Sequence, residues 1–308
     1  MAGSSKKVIY AALIGNTLIS ITKFAAAFIT NSSAMLSEGI HSLVDTGNQI
    51  LLLHGLKRAQ KPADEMFPFG YGKEVYFWSF AVAILVFAVG AGVSLYEGIL
   101  RVINPQPMKD VYINYIVLGL AIVFEGAAWM MAVKEFNKQK GKWSYITAIQ
   151  RAKDPSIFVV LFEDSAALLG LFVALFAIFI GQETGNIYLD GIASIIIGLI
   201  LGGTAIWLAY ETKSLLIGER ANTPVVEGIH DIVRKLKQVE HINEVATMHM
   251  GPDFVLVNMS LDFIDDISSQ DIEQAVSSMT LSIKEAFPIV KRVFIEAESR
   301  TQHHKTSQ

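Results

Sequence analysis

The chain of 308 residues is 52% hydrophobic and only 18% charged, a deficit against the roughly 25% of ordinary soluble domains that points to a membrane protein. Its net charge of −4 is too small to argue for a nucleic-acid or acidic partner. With no cysteine, disulfides, thiolate metal sites and a cysteine nucleophile are excluded, so any metal site must draw on His, Asp, Glu, Asn or Gln.

From the N-terminus, Lys6 and Lys7 precede an apolar run that contains Asn16 and Lys23, extends to about Ile29 and lacks a small-residue cleavage signal. It reads as a retained first span rather than a signal peptide. Six apolar segments have the ~20-residue length that crosses a bilayer; they lie near 8–29, 34–54, 75–100, 111–133, 157–180 and 188–210. Between the second and third, Phe67-Pro68-Phe69-Gly70-Tyr71-Gly72-Lys73 reads as a turn with aromatic anchors, and it lacks the spacing of a nucleotide loop. In the third segment Gly90 and Gly92 favour close helix packing, and Glu97 and Arg101, four apart near its end, read as an interfacial pair. The basic stretch between the fourth and fifth segments reads as an amphipathic piece on the membrane surface. Basic residues orient the whole. Lys6, Lys7, Lys57, Arg58, Lys61, Lys73, Lys134, Lys138, Lys140, Lys142, Arg151 and Lys153 make twelve on one side, against two, Arg101 and Lys109, on the other. That bias places both termini in the cytoplasm.

After Tyr210 the composition changes, and residues 213–299 read as a small soluble α+β domain. Thr223 as N-cap and Pro224 in the first turn open a helix reaching about Val239. Strands at 245–249 and 254–263 join at Gly251-Pro252-Asp253; a second helix covers 269–287 and a third strand 291–297. The order α-β-β-α-β is that of a ferredoxin-like half-open sandwich. Residues 300–308, with His303 and His304, read as a disordered tail. His230, His241 and His249 are either regulatory metal ligands or ordinary histidines of a soluble domain.

The chemistry concentrates in the second apolar segment. An ionisable residue at membrane depth costs ~2.5–3.5 kcal/mol on insertion scales and by default marks a transport pathway. His41 and Asp45 are four apart, so on a helix they share a face, and an imidazole and a carboxylate can converge on one divalent ion. The competing reading is a polar pair that only holds helices together. The fifth segment weakens it, because Glu163 and Asp164 interrupt an otherwise apolar run and also need a partner. A cation bound between the two segments neutralises these acids; without one they repel and take up protons, so metal and protons compete for the same oxygens.

Asp164 is the third candidate ligand. A zinc site takes about four N or O donors, and Glu163, Asn48, Gln49, Asn16 or a water are candidates for the fourth. Glu163 points ~100° away from Asp164 on a helix, so its alternative roles are proton carrier or contact to a neighbouring span. Glu38, three residues before His41, is a candidate outer partner of the ligands. Glu125, in the middle of the fourth segment, either relays protons or pairs with Lys23.

These features resemble the cation diffusion facilitator family over nearly the whole chain. The resemblance rests on His41-x-x-x-Asp45, the Pro-Phe-Gly-Tyr-Gly-Lys loop at 68–73, and Tyr96-Glu97-Gly98 followed by Pro105. Ser37-Glu38-x-x-His41-Ser42-Leu43-x-Asp45-Thr46 and Leu161-Phe162-Glu163-Asp164 look like the branch containing the mitochondrial zinc transporter. The resemblance implies an α-helical membrane protein with six transmembrane helices (1–212) plus a cytoplasmic ferredoxin-like domain. It implies a homodimer that exports a divalent metal from the cytoplasm in exchange for protons, with a site made of His41, Asp45 and Asp164; the cell membrane is the expected location. Val160 stands where the family places His or Asp, which leaves the fourth donor open between Glu163, Asn48, Asn16 and Glu38. An oxygen-rich site favours Mn²⁺ or Fe²⁺ relative to Zn²⁺; zinc is expected first, with manganese, iron or cobalt behind it and H⁺ as counter-ion. No prosthetic group or nucleic acid is implied. The rival classes are an intramembrane metalloenzyme, for which no H-E-x-x-H or similar signature is present, and a membrane-anchored metal sensor.

Overall fold

A computed structural model describes residues 2–140 and 143–306, with side chains placed apart from those of 2–15, 138, 139, 146, 150, 151, 156 and 157. Of the charges used for orientation, the side chains of Lys6, Lys7, Lys138 and Arg151 lie outside this description, as does Lys142 altogether; Ser307 and Gln308 of the tail also lie outside it. The chain forms two units. The first comprises the chain up to Lys57 together with Val75–Lys213, the second Arg58–Glu74 together with the chain from Ser214. The aromatic loop of 67–73 falls with the second unit.

The first unit is helical. Helices α1 (Ala2–Thr30) and α2 (Ser33–Ala59) are separated by Asn31 and Ser32, of which Asn31 takes the left-handed conformation that a short amide side chain tolerates (φ 55°). Helix α3 runs from Glu74 to Ile103 and contains a π-helical turn at Val86–Ala91. Helix α4 (Val111–Lys140), the short α5 (Tyr145–Arg151), α6 (Pro155–Thr184) and α7 (Leu189–Ile217) complete it. Ser144 caps α5 by accepting from the Thr147 amide. Among the described residues four helices, α3, α4, α6 and α7, are long and apolar enough to cross a membrane, and 16–30 forms a shorter apolar stretch of α1. Helix α2 has the length but not the apolarity, because its interior carries Glu38, His41, Asp45 and Asn48. Large side chains such as Phe28, Val123 and Met131 are exposed along the helices, as a lipid-facing surface requires. The core is built largely of small residues, with Ala26, Ala27, Ala34, Ala166 and Ala174 around Leu118, Leu171 and Ile197.

Close helix packing occurs, but at other glycines than Gly90 and Gly92, around which an added Cβ would meet only ordinary contacts. A Cβ on Gly98 would stand 2.7 Å from the Ile195 amide nitrogen and 2.9 Å from the Gly191 carbonyl oxygen, so α3 and α7 approach backbone to backbone. Gly98→Ala is therefore expected to destabilise the protein by about 1–3 kcal/mol, since backbone atoms cannot yield as a flexible side chain would. Gly203→Ala, where nothing lies within 4 Å, is expected to be neutral. Thermal unfolding in detergent compares the two; equal melting temperatures would remove the α3–α7 contact from the stability account. The Glu97–Arg101 pair is likewise corrected. Arg101 instead donates Nε to the buried Asp190 carboxylate at 3.2 Å, because that acid lies at the start of α7 where α3 packs closest.

In the second unit, α8 (Thr223–Arg234) and α9 (Ser269–Ala286) accompany strands β1 (Val239–Gly251), β2 (Phe254–Phe263) and β3 (Val290–Ala297). β2 is central, antiparallel to β1 and parallel to β3, and the parallel step is made through α9. Burial alternates along much of β2, with Val255, Val257, Met259 and Leu261 inside, and α8 and α9 bury Ile229, Val233, Ala275, Met279 and Ile283 at helical spacing. The expected α-β-β-α-β order is present. Helix α8 ends at Arg234 rather than near Val239, because Val239 already pairs with Phe263 in the sheet, and its N-cap is Asn222, with Thr223 the first helical residue.

The tail is corrected too: Arg300–Thr306 forms helix α10 rather than a disordered segment. Its start is tied down, since the Arg300 amide donates to Asp262 Oδ2 at 2.9 Å and His303 Nδ1 lies 3.0 Å from Glu298 Oε2. In the aromatic loop, Asp64 accepts from Tyr71 Oη at 2.6 Å and from the Phe67 amide at 2.7 Å. The tyrosine hydroxyl, with the Phe67 amide behind it, holds the Asp64 carboxyl below its usual range and is itself pushed up by that carboxylate. Phe69 meets Phe294 edge to face, 6.4 Å between centroids.

Candidate functional site

The polar residues of the first unit gather on α1, α2, α4 and α6. On α2, one turn brings His41 Nδ1 to 3.4 Å from Asp45 Oδ1, as the four-residue spacing anticipates. His41 is buried, and neither ring nitrogen has a hydrogen-bond partner. A cavity of about 480 Å³ opens beside this pair. Asp45 from α2 and both Glu163 and Asp164 from α6 line it, together with Asn16, Ser42, Gln49, Glu125 and Val160.

The candidates divide. Asp45, Asp164, Glu163 and Asn16 share the cavity, whereas His41, Asn48 and Glu38 are not among the residues lining it. Asn48 is committed to Glu163, donating Nδ2 to Oε1 at 2.7 Å. Glu38 is committed to Lys23 at 3.1 Å, and its other oxygen stands where a Cβ on Gly170 would collide with it, so α2 and α6 are close here. Among the described residues no three His, Asp or Glu side chains stand together closely enough to hold one metal ion. His41, Asp45 and Asp164 thus do not form a closed ligand set in this conformation; the two aspartates line a common space.

Lys23, fully buried, is the hub that sequence reasoning named only as one possible partner of Glu125. Its ammonium donates to Glu125 Oε1 at 2.7 Å, Ser42 Oγ at 2.8 Å and Glu38 Oε2 at 3.1 Å. An ammonium has three protons, and three acceptors use them. The chemical consequence is a charge imbalance. Four acids (Asp45, Glu125, Glu163 and Asp164) line the cavity, and Lys23, which pairs with Glu125, is shared with Glu38, so the cavity favours cations or protons.

Asp190 escaped the sequence reading altogether. Its carboxylate accepts from Ser32 Oγ and the Ser33 amide, both at 2.6 Å, from Ser33 Oγ at 3.0 Å and from the Ala34 amide at 3.2 Å. It therefore caps the N-terminus of α2 from another helix, where the helix dipole favours an anion. Its partners at the start of α2 lie 156–158 residues away, so no local pattern marks it.

In the second unit His230 and His241 line a cavity of about 280 Å³ with Glu240 and Arg234. His249 is not part of it; its Nδ1 lies 3.2 Å from the Gly251 carbonyl oxygen. The three histidines do not make one site.

Residues 9–217 match the family model for a cation efflux transmembrane domain. A mitochondrial proton-coupled zinc antiporter of Xenopus laevis is 34% identical over 266 residues, which are 85% of this chain and 47% of that protein. The chain thus spans about half the length of that relative. The manganese efflux system protein MneP of Bacillus subtilis is 25% identical over 294 residues, 94% of this chain and 95% of that protein. Among solved structures, the MamM CTD in a nickel form matches 26% of this chain and 99% of its own, at 11% identity and a TM-score of 0.24.

Proposed function

The chain belongs to the cation diffusion facilitator family, and on that premise we propose that it exports a divalent cation, zinc first, in exchange for protons. It is an integral membrane protein and a transporter, not an enzyme. The observation that carries the reading is that Asp45 of α2 and Asp164 of α6 line one cavity in the helical unit. His41, beside Asp45, supplies a nitrogen donor when the helices rock towards each other, and Asp45 and Asp164 supply oxygens. When the ion leaves, protons take the vacated sites, because uncompensated carboxylates at this depth repel one another. Glu163, braced by Asn48 and lining the same cavity, is the proton carrier of this scheme.

In the full reading, α1, α2, α3, α4, α6 and α7 are six spans, both termini are cytoplasmic, and the protein works as a homodimer in the cell membrane. The segment up to 212 transports the ion, and the sandwich that follows it is cytoplasmic. A second reading, manganese rather than zinc, is favoured by Val160. This side chain lines the cavity one turn before Asp164 without offering a donor, and a site short of nitrogens leans to harder ions.

The test is metal flux in proteoliposomes with and without an imposed pH gradient. Zinc flux accelerated by the gradient is expected. Absence of flux for any divalent ion under both conditions would sink the exporter reading in favour of a sensor. Competition among Zn²⁺, Mn²⁺, Fe²⁺ and Co²⁺ then ranks the ions.

A further inference from the structure

Two glutamates share the ammonium of Lys23. Both pair with its ammonium, Glu38 at 3.1 Å and Glu125 at 2.7 Å. The second oxygen of Glu38 is enclosed without a hydrogen-bond partner, but it abuts Gly170 and is not among the groups lining the cavity, so this residue serves packing between α2 and α6. Glu125 lines the cavity that Asp45 and Asp164 line, and its Oε2 is enclosed with no hydrogen-bond partner. A buried carboxylate oxygen left unpaired is costly unless a cation or proton occupies it. One ammonium shared by two carboxylates leaves the trio one negative charge in excess, and Glu125 is its member that lines the cavity. Lys23 also fixes its direction by holding Oε1.

The geometry points to Glu125 as a further donor to the transported cation, presented from α4 and positioned by Lys23. The inference rests on the exporter reading. With His41, Asp45 and Asp164 it completes the about four donors that a zinc site takes. It also accounts for Val160: the face of α6 one turn from Asp164 lacks a donor, and α4 supplies one across the same cavity. Neither Asn48 nor Glu38 is then needed as the fourth ligand, in keeping with their commitments to Glu163 and Lys23.

The experiment measures zinc and manganese flux against metal concentration in proteoliposomes for wild type, Glu125→Gln, Glu125→Gln with Val160→His, and Lys23→Gln. Glu125→Gln is expected to raise the half-saturating metal concentration by at least the ~10–100-fold typical of losing a partner of a metal ligand. Val160→His places an imidazole four residues before Asp164, and in the Glu125→Gln background it is expected to restore half-saturation to near the wild-type value. Lys23→Gln is expected to shift half-saturation upward by ~10–100-fold. If Glu125→Gln does not fold, Glu125→Asp keeps the charge opposite Lys23 while withdrawing the oxygen, and the same upward shift is expected. Unchanged half-saturation in a folded Glu125 variant, or a loss that Val160→His does not relieve, would overturn the assignment and leave Glu125 as a packing partner of Lys23. Either result leaves the exporter reading standing if wild type transports; only a silent wild type removes both.

Discussion

Asp45→Ala and Asp164→Ala are each expected to abolish metal flux in proteoliposomes while the protein stays folded. The two halves of this expectation have separate physical origins. Flux is lost because each aspartate lines the cavity from a different helix, and a divalent ion between α2 and α6 needs an anionic donor from both. A proton cannot substitute for either when the carboxylate is gone, so exchange is lost along with binding. Folding survives because both residues sit in a cavity already crowded with Glu125 and Glu163. Removing one negative charge from such a group relieves repulsion, which outweighs the loss of the 3.4 Å contact between Asp45 and His41. The thermal midpoint in detergent is therefore expected to hold or rise. Transport by either variant would take that residue out of the site. Loss of the folded state would revive the reading in which the polar residues only hold the bundle together.

Asp190→Ala is expected to do the reverse, damaging the fold first and transport only in consequence. This carboxylate is buried and accepts from the Ser33 and Ala34 amides, two serine hydroxyls and Arg101. Removing it leaves the largely buried Arg101 without its partner, and breaking one side of a buried ion pair costs about 3–5 kcal/mol. Loss of the cap on α2 adds about 1 kcal/mol. Asp190→Asn keeps a carbonyl acceptor but not the charge, and is expected to fall between wild type and alanine. Chemical denaturation in detergent measures the series; equal stability of Asp190→Ala and wild type would mean that α2 needs no anchor from α7. Because α2 also carries His41 and Asp45, its start and the turn beside the cavity belong to one helix.

How much of this was legible without the fold differs by residue. Asp45 and Asp164 announce themselves, because an acid in an apolar stretch is conspicuous whatever surrounds it. His41 is legible through its spacing to Asp45, since a helix turn imposes that neighbour. Glu163 was harder. Its ~100° offset from Asp164 suggested a different outlook, yet the cavity is wide enough for both side chains to line it. The roles of Lys23 and Asp190 were not legible. Lys23 reaches acceptors 15, 19 and 102 residues away, and Asp190 reaches a helix start 157 residues away. The helix α10 was missed because its anchors are Asp262 and Glu298, outside its own segment.

The division follows from range. Apolar runs of bilayer length, the alternation along β2 and the spacing of His41 and Asp45 are consequences of helix and strand geometry acting within a few residues. The amino-acid order therefore dictates a helical membrane unit, a following sandwich and two of the acids that line the cavity. Which acid each polar group answers to is a different matter. Lys23 could satisfy its three protons in many ways, and only the packing of α1 against α2 and α4 chose Glu38, Ser42 and Glu125. That choice is tertiary because burial makes every unpaired charge costly, and the partners that relieve the cost come from whichever helices happen to meet.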